Sequence, residues 1–120
     1  TQGLPFTTEN INQFLNQQSI KTTSIDQKII LNTVCKYFDL NLKDLSGPRR
    51  QKELVLPRHI AMYFLCEEIN LTVERVGKIL GGRDHTTVMH GRDRIKQMIN
   101  VDREVERTVI EIKQQMLSTN

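Results

Sequence analysis

The sequence predicts an all-α fold, and three observations predict it. Apolar residues recur three and four apart in several windows, and no window sustains the period-two alternation of a half-buried strand. Three prolines and six glycines in 120 residues are too few for a turn-rich sandwich or a disordered chain. Hydrophobic residues at 38% and charged residues at 26% suit one small helical domain. Aromatics are only 5%, with no tryptophan, so Ile, Leu, Val and Met must build the core. No apolar run approaches the ~20 residues of a membrane-spanning helix. The start, Thr1-Gln2-Gly3-Leu4-Pro5, has neither an initiating Met nor a signal-peptide layout, and reads as a piece cut from something longer.

The elements follow in order. Thr7-Thr8-Glu9 before Ile11, Phe14 and Leu15 predicts a short capped helix, and polar residues 17–24 a linker. A helix opens near Ile25-Asp26, with Ile29, Ile30, Val34, Tyr37 and Phe38 on one stripe. Asn41 caps a turn through Leu45, and Ser46-Gly47-Pro48 stops it. Arg49-Arg50-Gln51-Lys52-Glu53 forms a basic loop. Pro57 suits the first turn of the next helix, which Ile60, Ala61, Phe64 and Leu65 carry to about Ile69. Val73, Val76, Ile79 and Leu80 define a short helix between Thr72 and Gly81-Gly82. Asp84 caps a further helix over 84–98, with Val88, Ile95, Met98 and Ile99 buried; Asn100 to Asp102 break and restart the chain. Val105, Val109, Ile112 and Met116 line a last amphipathic helix.

Charge is unevenly spread. Residues 47–98 carry ten basic and six acidic side chains, while the two flanks together carry one more acidic than basic. Concentrated positive charge suits a polyanion partner; an ordinary solvated face is the alternative. Cys35 and Cys66 flank no paired spacing, so two buried thiols in a reducing cytosol are expected rather than a disulfide framework. No metal set is apparent: His59 and Cys66 are seven apart, ~10 Å along a helix, and His85 and His90 point ~140° apart.

Residues 72–80 and 84–98, joined by a tight glycine turn, have helix-turn-helix proportions. With Val88 at the centre of the buried side, Thr86 lies ~160° and His90 ~200° away, with His85 and Thr87 on the flanks. The first turn thus presents Asp84, His85, Thr86 and Thr87, with Arg83 just before them. Carboxylates accept from cytosine amino groups, threonine methyls meet thymine methyls, and histidine donates to purine N7 or O6. In helix-turn-helix docking it is this turn that meets base edges. A plain helix start with solvated threonines would carry the same residues. The basic loop adds Arg49, Arg50 and Lys52 beside Arg58, and flexible arginines suit a narrow minor groove; a merely solubilising loop is the other reading.

The run Gly81-Gly82-Arg83-Asp84-His85-Thr86-Thr87-Val88-Met89-His90 closely resembles the signature of the bacterial chromosomal replication initiator (DnaA) family. Arg49-Arg50-Gln51-Lys52 and Leu56-Pro57-Arg58-His59-Ile60-Ala61-Met62 resemble its basic loop and the helix after it. The resemblance runs from about Ile25 to Leu117. It implies a C-terminal DNA-binding domain over 25–120, with a helix-turn-helix variant similar to the Trp repressor, and over 1–24 a remnant of the preceding AAA+ lid helix plus linker. It further implies double-stranded DNA as partner, at asymmetric DnaA boxes of the replication origin and at some promoters. By position it implies base reading by Arg50 in the minor groove and by Arg58, Asp84, His85 and Thr86 in the major groove. Arg49, Lys52, Arg83, Thr87, His90 and Arg94 are implied to touch or support the backbone. Three positions depart from the family: Asp93, often basic in relatives; Cys66, where some have lysine; and His59, often glutamine. The resemblance implies a bacterial, cytoplasmic, nucleoid-associated protein. The full-length relative would use ATP or ADP and Mg and self-assemble at the origin, whereas this piece is expected to bind DNA as a monomer without a cofactor. No Gly-x-x-x-x-Gly-Lys-Ser/Thr loop occurs in the chain.

Three other classes compete with this reading. An enzyme using Asp84 and His85 meets the objection that adjacent helical residues point ~100° apart. A ligand-gated repressor needs a small-molecule pocket and usually a dimer. An interaction module would use Arg103, Glu104, Glu106 and Arg107 on the last helix, which suit solvent equally well.

Overall fold

The computed structural model describes residues 25–48 and 51–118. The expectations for residues 1–24, and those for Arg49 and Arg50, lie outside them. The described residues form six α-helices and a short 3-10 turn, with no strand among them.

Helix α1 (Gln27–Phe38) starts where expected. Asp26, in extended backbone, accepts the Ile29 N–H at 2.9 Å. The helix ends at Asp39, whose φ of 57° turns the chain. Helix α2 (Leu42–Ser46) is one turn long and reciprocally capped. Asn41 Oδ1 accepts from the Asp44 N–H and the Asp44 carboxylate from the Asn41 N–H, both at 3.0 Å.

The end of the basic segment is not loop: Lys52–Leu54 winds into a 3-10 turn that runs directly into α3 (Val55–Glu67). Leu54 pins that turn, buried at 3% exposure between exposed Glu53 and exposed Val55. Pro57, third in α3, takes a position whose N–H would have no helical partner. Helix α3 stops at Glu67, two residues short of the expected Ile69, and Asn70 at φ 58° redirects the chain. Thr72 caps α4 (Val73–Ile79) by accepting the Arg75 N–H at 3.2 Å. Gly81 (φ 84°) and Gly82 (φ 80°) make the left-handed turn that the paired glycines predict.

Helix α5 (His85–Val101) runs three residues beyond the expected end at 98. Asn100 does not break it, because its side chain sits exposed and the Asp102 N–H still closes onto the Met98 carbonyl at 2.8 Å. Asp102 alone separates α5 from α6 (Arg103–Ser118), and its carboxylate accepts the Glu104 and Val105 N–H groups at 2.9 and 3.3 Å.

Helix α3 is the hub. Ile60, Ala61, Met62, Phe64 and Leu65 are each at most 1% exposed, and α3 packs most extensively on α5. Each large apolar side chain so buried contributes roughly 1.5–3 kcal/mol. Gly91 permits the close approach of α5, since a Cβ there would sit 2.4 Å from Met62 Sδ and 2.8 Å from His59 Cδ2. Val105, Val109, Ile112 and Met116 form the expected stripe of α6, closing the core with Ile30 and Val34 of α1. The Tyr37 hydroxyl donates to Glu111 Oε1 and ties α1 to α6. Cys35 and Cys66 are both free and buried, and burial pushes both thiols up. None of the described helices is long and apolar enough to cross a membrane.

Candidate nucleic-acid interface

The start of α5 is set by its approach to α4. The Gly77 carbonyl accepts from the N–H groups of Gly82 and Arg83 at 2.9 and 2.8 Å, folding the turn back under α4. A Cβ at Gly77 would stand 2.1 Å from the Arg83 carbonyl oxygen. Val88 and Ile95 of α5 are fully buried, so the opposite face of the helix points outward.

On that face Asp84, His85, Thr86 and His90 are exposed. Asp84 holds the N-cap position in extended backbone, but its side chain makes no capping hydrogen bond, contrary to expectation. Its carboxylate lies instead 3.5 Å from His85 Nδ1, with side chains 65% and 53% exposed. The helical-angle objection to pairing these two residues therefore does not apply, since Asp84 is not helical. A pair so open to water still lacks the buried orienting carboxylate that a histidine base requires. Among the described residues no group of three His, Cys, Asp or Glu side chains could hold a metal ion.

Thr87 is also exposed and lines a cleft with Ser46, Gly47, Pro48, Arg58, Gly81 and Arg83. Here the structure differs most from the expectations. Arg58 does not project as a free reader: it is 7% exposed. Its Nε donates to the Asp44 and Leu45 carbonyls at 3.2 Å, and its Nη2 to the Asp44 and Gly47 carbonyls at 2.7 and 3.2 Å. Those carbonyls are the ones a short helix leaves unpaired at its C-terminus, and a guanidinium fork matches them. Arg83 Nη2 reaches the same Gly47 carbonyl at 2.8 Å, and its Nη1 donates to the Leu80 carbonyl. Burial, and then the nearby Arg58 cation, pull the Arg83 guanidinium below its ordinary range.

Lys52 and Arg94 line a second cleft together with His59, Ile95 and Met98. Arg94 is seven residues beyond Thr87, on the same stripe of α5 and ~10 Å along its axis. Pro48 thus stands by one end of this stripe and Lys52 by the other. Asp93 is exposed and accepts from Arg92 Nε at 2.8 Å. Cys66 is 8% exposed in the core.

His59, half-buried in the second cleft, is held below the ordinary histidine range by burial and by Arg94; Lys52, Asp102 and Glu104 also line that cleft. The unfolded chain therefore binds the extra proton first as pH falls. The stability that neutral His59 contributes is full above its ordinary value near 6.5 and is lost as pH falls toward its lower folded value. Melting temperatures recorded between about pH 7.5 and about pH 5 are expected to fall less steeply in His59→Gln than in the parent. Parallel curves would contradict this account.

Sequence reasoning gave Gly91, Leu45 and Met62 no packing role and missed the carbonyl acceptors of both arginines. An isolated glycine within a helical pattern signals close approach, and Gly77 and Gly91 both carried that signal. Backbone acceptors carry none.

Comparison with known proteins adds a second line. The family model described as bacterial dnaA protein helix-turn-helix matches residues 27–95. A chromosomal replication initiator protein DnaA from Thermomicrobium roseum is 43% identical over 86 residues, 72% of this chain and 18% of the relative. Proteins of the same name from Roseiflexus castenholzii and Latilactobacillus sakei are 38% and 39% identical, over 79% and 82% of the chain and 20% and 22% of the relatives. The chain spans about a fifth of the length of these relatives.

Proposed function

The chain belongs to the bacterial DnaA helix-turn-helix family, and from that premise we propose that it binds double-stranded DNA sequence-specifically, at DnaA boxes of a replication origin. The observation that carries this reading is the family run Arg83–His90, whose short hydrogen-bonding side chains face outward on the first turn of the second helix of the motif. Asp84, His85 and Thr86 read base edges in the major groove. Arg50 enters the minor groove beside them, with Arg49 as a backbone contact. Pro48 in one cleft with Thr87 and Lys52 in another with Arg94 support that arrangement, because these described ends of the basic segment lie beside two positions on one side of α5. Lys52, Thr87, His90 and Arg94 hold the phosphate backbone. Arg58 and Arg83, committed to carbonyls, shape the cleft, and their charge attracts phosphate without leaving those bonds. Protein of this kind acts on the chromosome in the bacterial cytoplasm, as a monomer on an unsymmetrical site. Nucleotide chemistry and self-assembly at the origin belong to the remainder of the full-length relatives.

Binding-site selection from random duplexes tests the reading. A single enriched unsymmetrical sequence is expected. Enrichment of no sequence, with binding intact, would reduce the protein to a general polyanion binder, and absence of binding would remove the reading altogether.

A further inference from the structure

Two parts of this molecule meet at one carbonyl. The turn ahead of α5 touches the tail of α2, the stem from which the chain leaves for the basic segment, in two ways. A Cβ at Gly81 would stand 1.8 Å from the Ser46 carbonyl oxygen, so the two backbones are in direct contact. Arg83 then spans the junction, Nη2 on the Gly47 carbonyl at 2.8 Å and Nη1 on the Leu80 carbonyl at the end of α4. From the other side, Arg58 of α3 holds the Asp44, Leu45 and Gly47 carbonyls. Gly47 therefore accepts from two cations. Arg83 grips both the helix-turn-helix and the stem.

We propose that Arg83 is a positioning residue that fixes the spacing between the start of α5 and the Ser46–Pro48 stem, and so sets the number of base pairs between the two parts of the recognised sequence. This rests on the reading above, in which α5 and the segment after Pro48 each contact the duplex. Its physical basis is that a planar fork bonded at both ends is stiffer than a packing contact, and that a lysine ammonium, a single point donor, cannot reproduce the span. One base pair is a step of ~3.4 Å, larger than a bridged junction of 2.8 Å bonds can absorb without breaking them.

The test uses the whole chain and the duplex it selects. The two parts of the site are located as the positions whose preference relaxes in Arg50→Ala and in His85→Ala. One base pair is then inserted or deleted between them, and affinity is read by fluorescence anisotropy for the parent, Arg83→Ala and Arg83→Lys. The quantity compared is the ratio of affinities for normal and respaced duplexes. A uniform loss of backbone attraction cancels in it, and so does a modest loss of stability. The parent is expected to lose about tenfold or more on respacing, and both variants less than about threefold, the scale of a single mispaired position being the reference. Should Arg83→Ala fail to give the helical circular dichroism of the parent, Arg83→Lys carries the comparison alone. An unchanged ratio in the folded variants, or a parent indifferent to spacing, overturns the inference while leaving sequence-specific binding in place. A parent that selects no sequence overturns the reading beneath it.

Discussion

Replacing Gly77 with alanine is expected to destabilise the protein by about 3 kcal/mol or more, a drop of roughly 10 °C or more in melting temperature for a domain of this size. Two effects oppose each other at this position. Alanine favours the helix over glycine by about 1 kcal/mol, and an open site would gain that amount. Here the new Cβ would lie 2.1 Å from the Arg83 carbonyl oxygen, and neither atom is free to move. The Gly77 carbonyl is bonded to the N–H groups of Gly82 and Arg83, so shifting either strand of the turn breaks these bonds as well. Gly91→Ala provides the contrast. Its nearest neighbours are the Met62 sulfur at 2.4 Å and the His59 ring at 2.8 Å, side chains that can rotate aside, so a smaller loss is expected there. Thermal melts of the two variants decide the matter. A Gly77→Ala protein as stable as the parent would mean that α4 and the turn are not in contact.

His85→Ala is expected to reduce discrimination between the selected duplex and a scrambled one by about 1–3 kcal/mol, roughly 5- to 150-fold, while leaving the melting temperature nearly unchanged. The side chain is 53% exposed, and its polar neighbour is the equally open Asp84 carboxylate. Little folding energy therefore depends on it. A base-edge contact is lost only on the cognate sequence, so the scrambled duplex is the proper reference. Equal losses on both duplexes would make His85 a backbone contact, and no loss on either would take it out of the interface.

Much of this architecture was legible because it rests on periodicity and on capping chemistry. The stripe from Val105 to Met116, the Asp26 and Thr72 caps and the Gly81-Gly82 turn all express local rules. What was not legible depends on partners distant in the chain. Arg58 looks in sequence like a basic residue free on the first turn of a helix. It is instead claimed by carbonyls 11 to 14 residues earlier, and a carbonyl has no letter of its own. Asp84 was expected to cap, as aspartate before a helix usually does, yet its carboxylate turns toward the neighbouring imidazole. The extension of α5 to Val101 escaped because Asn100 and Asp102 are weak helix formers, while the continuing backbone bonds and the exposure of Val101, at 77%, let the helix run into solvent.

The manner in which α5 is seated has a thermodynamic consequence. Fully buried Val88 and Ile95 hold the helix rigidly in place before any ligand arrives. The side chains it offers outward at Asp84, His85 and Thr86 are short, each with two rotatable torsions at most. Association therefore freezes little conformational freedom at this surface, and affinity is not eroded by an ordering cost. Calorimetry should accordingly find no folding-sized heat-capacity change from α5 when it docks.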